Sequence, residues 1–214
     1  MNFKQYSGIL AINIHLPILF VLSFGLFGFH FEAHSQDPVL SPKSSVSIIT
    51  CGPGPSLYEA FGHSAIRVVD SLKGMDLMFN YGVFDFNQPN FYGNFAKGYM
   101  RYMLGVSPTE EFLFQYKYYK RSVREQVLNL DSSQKQAILT HLSINLKPEN
   151  REYYYAYFDN NCSTKIIELL DSALSKKVIW QSTSADGEVS YRSLIHQYTV
   201  FQPWGRLGID VGLG

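Results

Sequence analysis

The sequence has 214 residues, two cysteines, and 18 basic against 18 acidic side chains. This length fits one domain, and the zero net charge gives no electrostatic case for nucleic-acid binding. With 46% hydrophobic and 17% charged residues, the composition is that of a chain with a buried core and excludes a disordered protein.

The N-terminus carries an export signal. Lys4 precedes an apolar run over residues 9–29, and a pattern typical of a signal-peptidase cleavage site follows that run. We therefore assign residues 1–35 to a signal peptide, although the run is also long enough to be an uncleaved membrane anchor. In either case the rest of the chain is exported to the periplasm or cell envelope, with residues 36–45 as a linker and residues 46–214 as the domain.

The first half of the domain alternates short apolar runs with Gly- and Pro-containing turns. This pattern predicts strands at residues 46–50, 63–69 and 76–84. Residues 85–105 are rich in aromatic residues and glycine and show no periodicity, so we assign no element to them. A helix is predicted over residues 109–119.

The second half of the domain predicts one strand and two helices with clear start signals. Residues 123–130 alternate like a strand, and Asp131 opens a capping box that predicts a helix to about residue 145. Residues 153–158 are β-prone, and Asn161 precedes an amphipathic helix. Separate strands and helices of this kind predict an α+β fold, with an antiparallel sheet packed on helices.

Cys162 is the first residue of that last predicted helix. Backbone N–H groups without intrahelical partners, together with the positive end of the helix dipole, stabilise a thiolate at such a position. The same N–H groups can bind the oxyanion of a tetrahedral intermediate. Cys162 is therefore the candidate catalytic nucleophile.

His63 is the candidate base, because it lies at the mouth of a predicted strand and its ring can project from the end of a sheet. A third polar group usually fixes the tautomer of such an imidazole. If this strand and the next one form a hairpin, His63 lies opposite residues 80–83. Asn80 is then the first candidate for the third catalytic residue, and Tyr81 is the second.

Other interpretations of the cysteines and histidines stay open at this point. Cys51 and Cys162 can form a disulfide in an exported protein, and a buried cysteine is often an inert apolar side chain. His141 is expected on a helix surface, and His196 lies in a Tyr-rich stretch that shows no regular pattern. No histidine and cysteine fall at ligand spacing, so neither a metal nor a cofactor is expected.

Three blocks of sequence resemble a known family. The first is ITCGPG at residues 49–54 followed by FGHSAIRV at residues 61–68, the second is NYGVFDF at residues 80–86, and the third is PENR at residues 148–151 followed by NCST at residues 161–164. Together they resemble the Lnb N-terminal periplasmic domain family, over about residues 44–210.

This resemblance implies a lipoprotein N-acyltransferase, which moves a fatty acyl chain onto the amino group of a lipoprotein's N-terminal cysteine. His63 matches the family's Gly-His block and Cys162 its Asn-Cys block. The order of the two residues also resembles the permuted papain-like folds of the NlpC and lecithin–retinol acyltransferase group. The expected partners are a phospholipid or lipoprotein acyl donor, a lipoprotein N-terminus as acceptor, and a membrane surface, without nucleic acid.

Two alternatives to this function remain. One is an NlpC-like cysteine peptidase or amidase that acts on cell-wall peptide, and the other is a non-catalytic envelope domain held by a disulfide. The aromatic run from Tyr81 to Tyr102 favours an apolar cleft and hence a lipid substrate. Full-length members of the resembling family continue into membrane-spanning helices, whereas this sequence ends at residues 208–214. Three interpretations stay open: a truncated gene, a soluble paralogue, or one half of a split pair with a separate membrane partner.

Overall fold

The structure is a computed structural model that describes residues 38–84, 89–90, 94, 99, 101–175, 178–181 and 190–212. The predicted signal peptide, residues 1–35, lies outside the described residues.

Six strands form one open antiparallel sheet in the order β5-β1-β2-β3-β4-β6. This sheet and its flanking helices confirm the predicted α+β class. The strands are β1 (Ser45–Cys51), β2 (His63–Asp70), β3 (Met75–Val83), β4 (Arg101–Pro108), β5 (Val123–Val127) and β6 (Glu152–Tyr154).

Five α-helices are present within the described ranges, and one 3-10 turn, Leu57–Glu59, precedes β2. None of these helices combines the length and the apolar composition needed to cross a bilayer. The helices are α1 (Thr109–Tyr118), α2 (Ser132–Leu146), α3 (Cys162–Ala173), α4 (Tyr191–Tyr198) and α5 (Pro203–Gly212).

The predicted capping box at Asp131 is confirmed. Its carboxylate accepts a hydrogen bond from the backbone N–H of Gln134 at 2.8 Å, and the Gln134 side chain accepts one from the N–H of Asp131 at 3.0 Å. Two backbone donors that have no intrahelical partner are thereby satisfied, which fixes where α2 begins.

Two apolar clusters form the core. The larger cluster joins alternate residues of the central strands to α2 and α3, through side chains that include Ile66, Val68, Leu142 and Leu169. The smaller cluster joins the intervening strand residues to α1, through Ala65, Met78, Phe112 and Tyr116 among others. Alternation along β2 sends Ala65 and Ile66 to different clusters, as the period of a strand requires.

Strand β4 was missed by the sequence analysis, which assigned no element to residues 85–105. It pairs with β3 on one side and with β6 on the other. Gly105 and Pro108 interrupt the local pattern of this strand, so its conformation depends on pairing with distant residues rather than on its own propensity. Much of residues 85–100 lies outside the described part of the chain.

The C-terminal segment differs from the expectation for His196, which the sequence analysis placed in a stretch without a regular pattern. It forms α4 and α5, and His196 lies on α4 rather than in an irregular stretch. The imidazole Nε2 of His196 lies 2.8 Å from a carboxylate oxygen of Asp210 on α5. This contact ties two short helices together, and a local pattern does not reveal it.

A candidate Cys–His–Asn site

Asn161 places Cys162 at the first position of α3. The Asn161 side-chain oxygen accepts hydrogen bonds from the backbone N–H groups of Ser163 at 2.9 Å and Thr164 at 3.0 Å. In return, the N–H of Asn161 donates to the Thr164 hydroxyl at 2.7 Å. The cap fixes the start of the helix, so the Cys162 thiol lies where the helix dipole favours a negative charge.

Two glycines allow His63 to take its position. Gly62 has a φ of +73°, and a Cβ there would lie 2.5 Å from the carbonyl oxygen of Cys51. Gly82 has a φ of +145°, and a Cβ there would lie 2.9 Å from Cε1 of the His63 ring. Both positions therefore require glycine, the first for the turn into β2 and the second for space beside the imidazole.

His63 contacts Asn80 and Cys162 at the same time. Its Nε2 lies 2.5 Å from the amide oxygen of Asn80, and its side chain is hydrogen-bonded to the Cys162 thiol. Because an amide oxygen only accepts, Nε2 carries the proton and Nδ1 is the nitrogen left to interact with sulfur. The structure thus brings Cys162, His63 and Asn80 together, and their catalytic roles stay predictions.

The pKa shifts of this pair both favour the charged forms. Burial raises the pKa of the Cys162 thiol, but the hydrogen bond and the charge of His63 lower it by more. The Ser64 N–H and the Ser163 hydroxyl lower it further, so the pKa lies below its ordinary value. Burial lowers the pKa of His63, but the hydrogen bond and charge of Cys162 and the bond to Asn80 raise it above its ordinary value. The electrostatics therefore favour a thiolate beside an imidazolium.

Cys51 differs from Cys162 in the direction of its pKa shift and in its burial. Both cysteines are free thiols, so the structure does not contain the disulfide that the sequence left open. The Cys51 side chain is 2% exposed. Burial raises its pKa to about 11, although a hydrogen bond with Tyr116 acts in the opposite direction. Cys51 is thus a buried, protonated thiol in the apolar cluster below α1.

Arg121 is a residue of this region that the sequence analysis missed. Its guanidinium donates to the carbonyl oxygen of Gly52 at 2.8 and 3.0 Å and to the Glu59 carboxylate at 2.6 Å. The Arg121 side chain is only 6% exposed, and its charge lowers the pKa of His63 against the stronger influences that raise it. Arg121 thereby stabilises the turn before β2. The sequence does not indicate this role, because a basic residue just after a helix is common.

Three tyrosines of β4 and the β6 segment lie near the Cys162 thiol. The rings of Tyr102 and Tyr155 stack with centroids 4.4 Å apart, and those of Tyr102 and Tyr153 are 6.4 Å apart. Burial, followed by the negative charge of Cys162, raises the pKa of all three phenols. These rings form an aromatic wall beside the candidate nucleophile.

The wall only partly coincides with the predicted aromatic run. Tyr102 belongs to both. The ring of Phe84, another residue of the run, lies 5.1 Å from that of Tyr102, whereas Tyr99 is exposed. The other members, Phe86, Phe91, Tyr92 and Phe95, lie outside the described residues. Tyr81, the second candidate for orienting His63, is buried and accepts a hydrogen bond from Asn145 at 2.7 Å instead.

These features define an α+β domain with a hydrogen-bonded cysteine, histidine and asparagine at the end of its sheet. The family model of the Lnb N-terminal periplasmic domain matches residues 31–197, and the chain belongs to this family. The matched region contains His63, Asn80 and Cys162. Because the family is a periplasmic domain, the protein is assigned to the periplasm or cell envelope. Comparisons with curated proteins and with solved structures found no match.

Proposed function

We propose that this protein is a thiol-dependent acyltransferase that N-acylates lipoproteins through an acyl-Cys162 intermediate. The observation that carries the proposal is the hydrogen-bonded Cys162–His63 pair, whose pKa shifts favour a thiolate and an imidazolium. A thiolate is the reactive form of cysteine, and a nearby imidazole can transfer the protons of both half-reactions. Membership of the Lnb domain family supports the choice of substrate class.

The first half-reaction forms a thioester. The Cys162 thiolate attacks the ester carbonyl carbon of a lipid donor, and a carbon–sulfur bond forms. The tetrahedral intermediate then breaks its carbon–oxygen bond, and the His63 imidazolium gives its proton to the leaving alkoxide. The backbone N–H of Cys162 is the candidate donor to the oxyanion, because the N–H groups of Ser163 and Thr164 already donate to Asn161. The products are acyl-Cys162, a neutral His63 and a deacylated lipid.

The second half-reaction forms an amide and restores the site. The amino group of a lipoprotein's N-terminal cysteine attacks the thioester carbonyl, and neutral His63 accepts the proton that this nitrogen loses. The carbon–sulfur bond breaks, which returns Cys162 as a thiolate beside an imidazolium. Asn80 keeps the same ring nitrogen protonated throughout, so Nδ1 faces the reacting atoms in both steps.

Exposed apolar side chains at the C-terminal helices support action at a membrane surface. Phe201 is 95% exposed, Trp204 is 83% exposed and Val211 is 76% exposed. Trp204 and Val211 are seven positions apart, which places them on one face of α5. Clustered exposed aromatic and aliphatic residues are typical of surfaces that contact a lipid interface or another protein.

The position of the thiol and the imidazole supports a relation to the permuted papain-like folds. The histidine begins a strand, the cysteine begins a later helix, and an asparagine side chain contacts the second ring nitrogen. This combination is shared by cysteine peptidases and acyltransferases, so the fold relation alone does not separate the two activities.

Mass spectrometry of the full-length protein after incubation with phospholipid vesicles tests the proposal. The wild type should gain the mass of one acyl chain, and Cys162→Ala should not. Cys51→Ala is the matched control and should still be acylated, because the Cys51 thiol is buried in the smaller apolar cluster and its pKa is raised to about 11. If no adduct forms while a cell-wall peptide is cleaved by the wild type and not by Cys162→Ala, the protein is a peptidase instead.

A further inference from the structure

A cavity of about 350 Å³ lies between α2, α3 and the turn that leads into β6. Its lining includes Asn150 and Arg151 from the turn, Tyr153 from β6, and Lys165 and Glu168 from α3. None of these residues belongs to the Cys–His–Asn group. Asn150 and Arg151 do belong to the PENR block, which the sequence analysis singled out and which the thiol chemistry leaves without a role.

The turn presents Arg151 from a fixed backbone. The N–H groups of Asn150 and Arg151 both donate to the carbonyl oxygen of Lys147 at 2.9 Å, and the carbonyl oxygen of Arg151 accepts from the N–H of Leu104 at 2.9 Å. The Asn150 side chain donates to the carbonyl oxygen of Ile144 at 3.1 Å. A side chain on so constrained a backbone is suited to hold a ligand in one position.

The charge of Arg151 is not neutralised by the groups around it. Within the described part of the chain, the guanidinium of Arg151 forms no ion pair with a carboxylate, and its one described hydrogen bond goes to the thioether of Met103, a weak acceptor. Glu152 also lines the cavity, but it pairs with Arg101 at 3.0 Å. A partly buried cation without a counter-ion is unfavourable, so the site gains free energy when an anion binds.

Lys165 supplies a second cation on the opposite wall. It contacts Glu168 at 2.7 Å, but Glu168 is 65% exposed, and such surface pairs are weak enough to exchange partners. The Lys165 ammonium also lies 5.2 Å from the centre of the Tyr153 ring. Arg151 and Lys165 thus offer a forked donor and a point charge to the same ligand, as phosphate sites commonly do.

The cavity adjoins the candidate nucleophile. Lys165 is three residues after Cys162 on α3, and side chains at this spacing lie on the same helix face with Cβ atoms about 5–6 Å apart. Tyr153 lines the cavity and packs against the same core cluster as Cys162. A phosphate bound by Arg151 and Lys165 would therefore lie on the side of α3 that carries Cys162.

We infer that this cavity binds the phosphate ester of the acyl donor, so that the donor is a glycerophospholipid with its head group against Arg151 and Lys165 and its ester carbonyl at Cys162. The claim that the cavity binds an anion depends only on the contacts of Arg151 and Lys165 described above. The claim that this anion is the head group of the acyl donor rests on the proposed function. The binding and acylation experiments that follow separate these two statements.

Isothermal titration of the full-length protein tests the anion site without any acyl transfer. The probes are glycerophosphoethanolamine, inorganic phosphate and glycerol. Arg151→Met should weaken binding of glycerophosphoethanolamine at least tenfold, whereas Arg124→Met, an exposed arginine of β5, should not. Equal affinity of Arg151→Met and the wild type would overturn the site. Binding of inorganic phosphate as tight as that of the phosphoester would overturn its assignment to a lipid head group.

Acylation of Cys162 tests the link to the donor. Arg151→Met should acquire an acyl group from phosphatidylethanolamine vesicles at least tenfold more slowly than the wild type, and Arg151→Lys should fall between them. Acylation by a p-nitrophenyl ester, which has no phosphate, should proceed equally in all three. An equal loss with both donors would show a merely structural role and overturn the inference. If phospholipid never acylates the wild type, the proposed function fails, and the titration still decides whether the anion site exists.

Discussion

His63 and Asn80 lie on neighbouring strands, with Nε2 of the imidazole 2.5 Å from the amide oxygen of Asn80. This contact decides which ring nitrogen is protonated, because the amide oxygen can only accept. It also leaves the opposite nitrogen for the thiol of Cys162, to which His63 is hydrogen-bonded. The orientation of the proposed base therefore depends on the side chain of Asn80.

Asn80→Ala should lower the rate of Cys162 acylation by about 10–100-fold, the effect of losing one hydrogen bond to a charged partner. The physical reason is that the imidazole can then rotate and present the wrong tautomer. Stopped-flow measurement of acylation by a p-nitrophenyl ester checks this. The melting temperature serves as a control, and an unchanged rate in a folded Asn80→Ala protein would show that Asn80 does not orient the base.

Cys162 should react with iodoacetamide about 100-fold faster than Cys51 at neutral pH, because only its pKa lies below the ordinary value while that of Cys51 is raised to about 11. Single-cysteine proteins, Cys51→Ala and Cys162→Ala, allow each rate to be followed across pH. Since the largest influence that lowers the pKa of the Cys162 thiol is the hydrogen bond with His63, His63→Ala should move the titration of Cys162 to higher pH. An unshifted titration would mean that the two side chains are not coupled.

Gly82→Ala should reduce acylation of Cys162 and destabilise the protein by about 1–3 kcal/mol, the typical cost of a strained backbone. The new Cβ would lie 2.9 Å from Cε1 of His63, at a backbone φ of +145°. Gly74→Ala is a matched control, since Gly74 also has a positive φ but nothing within 4 Å of the added Cβ. Both variants should lose stability in urea unfolding, but only Gly82→Ala should lose activity. Equal activity of the two would contradict the role of Gly82 in making room for the ring.

Arg121→Met should lower the free energy of unfolding by about 1–3 kcal/mol, because it leaves the Glu59 carboxylate, whose side chain is only 15% exposed, without a counter-ion. The double variant Glu59→Gln with Arg121→Met should recover part of this loss, and Arg124→Met on the exposed strand β5 should change stability little. Urea unfolding measures all three. A loss in Arg121→Met no larger than that in Arg124→Met would show that the pair does not hold the turn before β2.

The contrast between Asn80 and Arg121 shows how far the sequence could predict the site. Asn80 was found because alternation and a short turn fix the register of a hairpin, and Cys162 because its helix has a local start signal. Arg121 donates a hydrogen bond to the carbonyl oxygen of Gly52, which is 69 positions away. A local sequence pattern cannot predict a contact between residues so far apart. Strand β4 and the pairing of His196 with Asp210 were missed for the same reason, since both depend on tertiary contacts between segments that are ordinary on their own.

Phe201→Ser combined with Trp204→Ser should weaken binding to phospholipid vesicles at least tenfold, if Phe201 and α5 contact the bilayer. Each of these side chains is more than 80% exposed, and burial of one large apolar side chain contributes about 1.5–3 kcal/mol. The matched control is Phe114→Ser with Tyr118→Ser, which removes two exposed aromatic rings from α1. Vesicle co-sedimentation measures binding, and iodoacetamide labelling of Cys162 should stay unchanged in both double variants. If the two double variants lose binding equally, the effect comes from general surface hydrophobicity, and α5 has no special part in contact with the membrane.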